Sequence, residues 1–563
     1  MKLLFAVVLC VLSGATLAAQ DKVSEPGRYV GYGDARYSGW ARTSIYVPAR
    51  DGTRLAVDIF RPKQDGQVES RALPVLLSIT QYRRAAKAKD GSVRYGAADM
   101  LELVKFGYVV IVADARGKGA SFGTRRGPWS DDEARDAADL IQWAAKQSWS
   151  TGKVGMFGAS YLGGIQLAAV REKPAALKAV MADLIVFDVF DAFMGMVPPE
   201  GPLFDGFDEV VDAATVPVDE DVDGKLLKAA IEEHRANKVV GPLPYRDSVS
   251  KTLGVDFYSE VNPSAHLREI GEWGGGIYLL GHWGNWLSSG ATSGFANFKN
   301  PTKLTLLKGL GFSGAGPARP GSFDVVTEHR RWFDHWLKGV DNGIMREPAV
   351  FYEIANTAER RQAAIWHRDT AREQWYLAHG QLTPQAPSSG TASFTVKYHI
   401  TREARTVSGL TFDSPLVTKA FSIAGFIQAD FSVATSGADG DFIAYVQDVA
   451  PNGAIREITE GRIRASQRIE HEPPFDTFGM PWHRAHREDI KPMTPDAIER
   501  VRFAFLPIAW TMQQGHRLRL VVTGAMPQRS PGLDMMNATP RQTPAPRQTI
   551  ALGPSRLILP IER

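Results

Sequence analysis

Between residues 73 and 185, short apolar runs alternate with stretches of helical spacing. Leu73–Ile79 predicts a central strand that ends at Thr80-Gln81-Tyr82, and Gly107–Ala113 predicts a second buried strand. Asp131–Gln147 has Ala134, Ala138, Ile141 and Ala145 on one side and predicts a helix. Val154–Phe157 predicts another strand, a helix follows over about 162–171, and Ala179–Ile185 predicts the next strand. Upstream, Ser44–Pro62 predicts two extended segments around Asp51-Gly52. Strands alternating with helices imply a mostly parallel sheet covered on both faces.

The alternation stops between about 187 and 270. That segment is acidic and aromatic, with one clear helix predicted at Lys225–Ala236, and an insertion there suits a cap over a pocket. The sheet pattern resumes at Ile277–Leu280 and Lys303–Leu307, followed by a helix over about Val325–Leu337. From about Glu347 onward, short alternating runs separated by Pro, Gly and Asn dominate, beginning with Ala349–Ile354, and predict an all-β sandwich or jelly roll. The pattern divides the chain into an α/β unit over 40–345, with the cap at about 187–270, and an all-β unit over 346–563.

A chain of 563 residues is too long for a single core, and a net charge of +3 makes no case for nucleic acid or an acidic membrane. Lys2, the apolar run Leu3–Leu12 and the small residues Gly14–Ala19 follow the order of a secretory signal peptide over 1–19, cut after Ala18 or Ala19. Periplasmic or secreted export is therefore expected, with no membrane attachment after cleavage. Cys10, the only cysteine, lies inside that run, so the mature chain is expected to lack disulfides.

Chemistry concentrates at Gly158-Ala159-Ser160-Tyr161-Leu162-Gly163. A strand, a tight Gly-rich turn with Ser at its apex, and a helix form a nucleophile elbow, here G-x-S-Y-x-G. Asp219-Glu220-Asp221-Val222-Asp223-Gly224 matches the opening of a calcium loop, but Ala230 stands at the twelfth position, where a Glu should be. It reads as an acidic helix start with Asp223 near the N-cap. No cofactor or metal is implied.

Together, Arg50–Leu55 (RDGTRL), Asp114–Gly117 (DARG), Val154–Gly163 and Trp332–Gly339 (WFDHWLKG) resemble the CocE/NonD family, which includes cocaine esterase, α-amino-acid ester hydrolases and X-Pro dipeptidyl-peptidases. Asp441-Phe442, Asp448-Val449 and Gly515–Leu518 resemble that family's C-terminal jelly roll, which is galactose-binding-like. The resemblance implies an α/β-hydrolase core with a helical cap. It puts the nucleophile at Ser160, one oxyanion donor at the Tyr161 backbone N–H, and the other at the Tyr82 hydroxyl. At the acid position stands Asn285 in place of Asp, and at the base position Ser313 in place of His.

Losing the His of a well-studied triad costs about 10⁶ in kcat, and about 10³–10⁴ over water survives. His282 and His329 are alternative bases, and Asp205, Asp208 and Glu209 are cap acids within possible reach of the pocket. Two readings stay open. One is an exported serine hydrolase acting on a small ester or peptide substrate through Ser160. The other is a catalytically impaired hydrolase fold that binds a ligand in the former active site.

Overall fold

The computed structural model describes residues 22–194, 212–238, 240–241, 243–251, 253–285, 287–309, 322–366, 371–398, 408–526 and 541–562. The α/β half is built on Gly39–Pro48 (β1), Arg54–Gln64 (β2), Leu73–Thr80 (β3), Val109–Asp114 (β4), Ser150–Ala159 (β5), Leu177–Asp183 (β6), Gly276–His282 (β7), Thr302–Leu307 (β8), Val350–Glu353 (β9) and Arg360–Ala363 (β10). Their order across the sheet is β1-β2-β4-β3-β5-β6-β7-β8-β9-β10. From β4 to β9 every neighbouring pair runs parallel. The runs β3, β4 and β7 are buried almost throughout, as strands covered on both faces must be.

The layers come from Asp131–Ala145 (α1), Tyr161–Arg171 (α2), Lys225–His234 (α3), Ser288–Asn297 (α4) and Val325–Lys338 (α5). On one face Phe157, Met181, Tyr278 and Leu280 pack against Trp332 and Phe333 of α5. On the other, Val154, Met156 and Val180 pack with Ile141 of α1 and Ile165 of α2. This is an α/β-hydrolase core, and the parallel strands aim their C-terminal ends at one edge.

One boundary differs from the sequence pattern. Ala349–Ile354 reads as the opening of the all-β half, yet β9 pairs in parallel with β8 and closes the hydrolase sheet, with β10 antiparallel beyond it. Val350, Phe351, Tyr352 and Glu353 are all buried, so the run is covered on both faces rather than alternating.

From Ala371 on, thirteen strands among the described residues form the C-terminal jelly roll around Phe431, Phe442, Val446, Leu520 and Leu559. It is fastened to the first half. Asn356 and Thr511 exchange hydrogen bonds of 2.8 and 3.0 Å, and so do Asn297 and Asp476.

A buried ion cluster ties β1, β2 and β4 to the loop after β3. Arg84 is fully buried and donates to Asp58 of β2 (3.1 Å), Asp114 at the end of β4 (3.1 Å) and Ser44 of β1 (2.9 Å). Its backbone N–H also donates to Asp114, at 2.6 Å. Burial pushes the Asp114 carboxyl up, and Arg84 opposes that. Removing the cation alone leaves the buried Asp114 without its cationic partner and Asp58 with Arg42 alone. Arg84→Leu is expected to lower stability by about 3–5 kcal/mol in urea unfolding; a change within about 0.5 kcal/mol would refute this role for the cluster.

Candidate active site

The elbow lies between β5 and α2. Ser160 has φ 59° and ψ −119°, a conformation that non-glycine residues rarely adopt. Its N–H donates to the Asp183 carbonyl at 3.0 Å, and its own carbonyl accepts from Gly163 and Gly164 at 2.9 Å each. The turn demands glycine at two places. Gly158 sits at φ 136°, and a Cβ on Gly163 would come within 2.5 Å of the Asp183 carbonyl oxygen. Ser160 is half-buried.

Tyr161 is the first residue of α2, so its N–H has no partner within the helix and stays available to an oxyanion. Its ring is clamped. It stacks on Trp129 at 6.0 Å, and the Arg125 guanidinium lies 5.0 Å over it. Trp129 Nε1 donates to the Tyr161 carbonyl at 3.0 Å, and Arg125 pairs with Glu133 at 2.6 Å. Burial pushes the Tyr161 hydroxyl well above the usual phenol range, so it stays neutral. Tyr82 meets the Tyr161 ring edge-on at 6.4 Å while remaining 50% exposed. The two tyrosines named from the sequence are therefore brought together. Tyr82 stands on a loop anchored two residues later by Arg84.

Asn285 is buried on the turn after β7, and its side chain faces its own loop: Oδ1 accepts from the Leu287 N–H at 2.9 Å. The turn is pinned to β8 and β9 by Trp283, whose N–H donates to the Leu307 carbonyl (2.8 Å) and whose Nε1 donates to that of Glu353 (2.6 Å). Ser313 lies outside the described residues, as do Asp205, Asp208 and Glu209.

The two histidines are placed differently. His329, on α5, is buried, donates Nδ1–H to the Val325 carbonyl at 2.7 Å, and packs edge-on against Phe157. Burial lowers its pKa to about 4, which makes it a poor base. His282 ends β7, 5% exposed, with Nε2 3.3 Å from Asp183 Oδ1 at the end of β6.

Residues 51–293 match the X-Pro dipeptidyl-peptidase (S15 family) domain, and residues 342–556 match the X-Pro dipeptidyl-peptidase C-terminal non-catalytic domain. The chain belongs to the S15/CocE family of serine esterases and peptidases. It is 28% identical to a Mycobacterium bovis protein named as a serine esterase, over 87% of this chain and 91% of that one. It is 25% identical to the cocaine esterase of a Rhodococcus species, over 77% and 84%. A CocE/NonD family hydrolase from Staphylococcus aureus has the same fold, with a TM-score of 0.72, 21% identity, and coverage of 92% and 93%.

In this S15/CocE hydrolase two acids of the calcium-like stretch, Asp219 and Asp221, are spent on protein donors, while Glu220 and Asp223 are exposed. Asp219 accepts from the Ser44 N–H and Arg42, both at 2.7 Å. Asp221 caps α3 by accepting from the Leu226 and Leu227 N–H groups, and Asp223 accepts from the Lys225 N–H at 3.2 Å. An apolar cavity of about 200 Å³ between α4 and the jelly roll is lined by Ser289, Ser293, Phe475, Phe478, Trp482 and Phe503. Neither Ser160 nor Tyr82 lines it, so it is not where the elbow chemistry occurs.

Sequence reasoning missed Asp183 and Trp129. For Asp183 a signal exists: it is the single charge within the apolar run Ala179–Ile185. Trp129, on a loop, carries none.

His329 supplies a pH test. Its pKa is lowered in the fold, so the unfolded chain takes up the proton first as pH falls below about 6.5. Stability is whole above that value and is lost as pH drops toward 4. Between pH 7 and pH 4.5 the parent should lose on the order of 2–3 kcal/mol more than His329→Gln in urea unfolding; equal losses would contradict a buried neutral imidazole.

Proposed function

We propose that this hydrolase cleaves small carboxylic esters through an acyl-Ser160 intermediate, with the Tyr161 N–H and the Tyr82 hydroxyl holding the oxyanion. The observation that carries this reading is the strained Ser160 at the turn between β5 and α2, with the Tyr82 ring edge-on to that of the adjacent Tyr161. An inert serine would not need φ 59°. Esters are preferred to X-Pro peptides because the esterase-named relatives match 87% and 77% of the chain. A Bacillus anthracis protein named as an Xaa-Pro dipeptidyl-peptidase matches 54%.

The second reading is ligand binding without turnover, and one observation favours it: Asn285 spends its Oδ1 on its own turn. Hydrolysis of p-nitrophenyl acetate decides between them. On the esterase reading Ser160→Ala abolishes turnover, and Tyr82→Phe lowers kcat by about 10²–10³ with little change in KM. A parent no faster than Ser160→Ala would select the binding reading.

Export is part of the proposal, supported by the n-, h- and c-region order of residues 2–19. Expression of the full chain in a Gram-negative host should yield a periplasmic or secreted protein whose N-terminus is Ala19 or Gln20. An intact Met1 on a cytoplasmic protein would refute it.

A further inference from the structure

We infer that His282 is the base that activates Ser160 and that Asp183 orients it, a pair assembled from the ends of β7 and β6. This rests on the esterase reading and supplies the group that reading lacks.

The register brings the three residues to one edge. Ala159 pairs with Asp183 across β5 and β6, and Asp183 pairs with Leu280 across β6 and β7. Paired residues of parallel strands share a face, and so do residues two apart on one strand. Asp183, Leu280 and His282 therefore point to the same side, and His282 stands one row beyond Asp183, toward the edge that carries Ser160. The Asp183 carbonyl also holds the Ser160 N–H at 3.0 Å. One residue thus touches nucleophile and imidazole together.

The His282 ring is 5% exposed, and neither nitrogen has a hydrogen-bond partner among the described residues. A buried imidazole in that state costs free energy, and a catalytic role is one reason for a fold to bear it. Nε2 is in ion-pair range of Asp183 Oδ1 but off the line of a hydrogen bond, as catalytic contacts often are without substrate. Besides Asp183 itself, from β6, His329 from α5 faces this pair; its imidazole interacts with Asp183 and stays neutral above about pH 4. The chain order Ser160, Asp183, His282 is the nucleophile–acid–base order of α/β-hydrolases, reached one strand earlier for both partners.

In the reaction Nε2–H faces Asp183 and Nδ1 carries the lone pair. Ser160 Oγ attacks the ester carbonyl carbon, its proton passes to His282 Nδ1, and the carbonyl π electrons move to the oxygen held by Tyr161 and Tyr82. Collapse breaks the ester C–O bond, and Nδ1 returns the proton to the departing alcohol. Water then attacks the acyl group, giving its proton to Nδ1. The second collapse breaks the acyl C–Oγ bond, Nδ1 returns its proton to Ser160 Oγ, and the carboxylic acid leaves.

The test measures kcat/KM on p-nitrophenyl acetate for the parent, His282→Ala, His282→Gln and Asp183→Asn. Both His282 variants should lose at least about 10²-fold, added imidazole should restore part of the His282→Ala loss, and Asp183→Asn should lower kcat and displace the pH profile. If a His282 variant does not fold, the parent's own profile decides: a base-form ionisation should govern kcat/KM, and a flat profile from pH 5 to 9 overturns the proposal. Turnover that needs Ser160 but stays within threefold of the parent in a folded His282 variant overturns this inference alone. A parent with no Ser160-dependent turnover overturns the esterase reading and this inference with it.

Discussion

Everything at the candidate site depends on holding one residue in a conformation it would not choose. Ser160 at φ 59° costs roughly 1–3 kcal/mol, and that cost must be met by its surroundings. They are specific: the Asp183 carbonyl on its N–H, the first turn of α2 on its carbonyl, Gly163 where a Cβ would strike the Asp183 carbonyl oxygen, and Gly158 at a φ of 136°. The same turn makes Tyr161 the first residue of α2, so its N–H has no partner within the helix.

Around this turn, buried charge does the positioning. Arg84 links three strands and the Tyr82 loop. Arg116 grips Asp136 at 2.8 and 2.6 Å and reaches Asp51 in the β1–β2 hairpin at 2.7 Å. On α5, Asp334 accepts from the buried Tyr108 hydroxyl at 2.6 Å, and Trp332 donates to the Val180 carbonyl at 3.1 Å. In the jelly roll Asp448 takes both His516 (2.7 Å) and Trp510 (3.1 Å). The short motifs through which the sequence resembles its family are thus mostly clamps, whose side chains must meet one partner at one distance.

This explains what was legible in the sequence. Parallel strands buried on both faces show as apolar runs, so the strands around the elbow could be read from residue pattern alone. The elbow was legible because its glycines answer a backbone need. Val350–Glu353 misled because a short apolar run carries no mark of which sheet it joins; only its parallel pairing with β8 decides. Asp183 was passed over because local pattern treats a strand-end acid as an interruption, while its contacts, Ser160 and His282, lie on other strands and turns. Asn285 shows the converse. Its position could be named from the resemblance, but the direction of its side chain is set by the Leu287 N–H.

The central claim is that Ser160 is a nucleophile and not merely a strained turn residue. Mass spectrometry of the chain after exposure to a fluorophosphonate tests it directly. The expected result is a single phosphonyl group per chain, mapped to the peptide that contains Ser160 and absent from Ser160→Ala. An unmodified Ser160 under conditions that fully label a serine esterase of intact triad would contradict it.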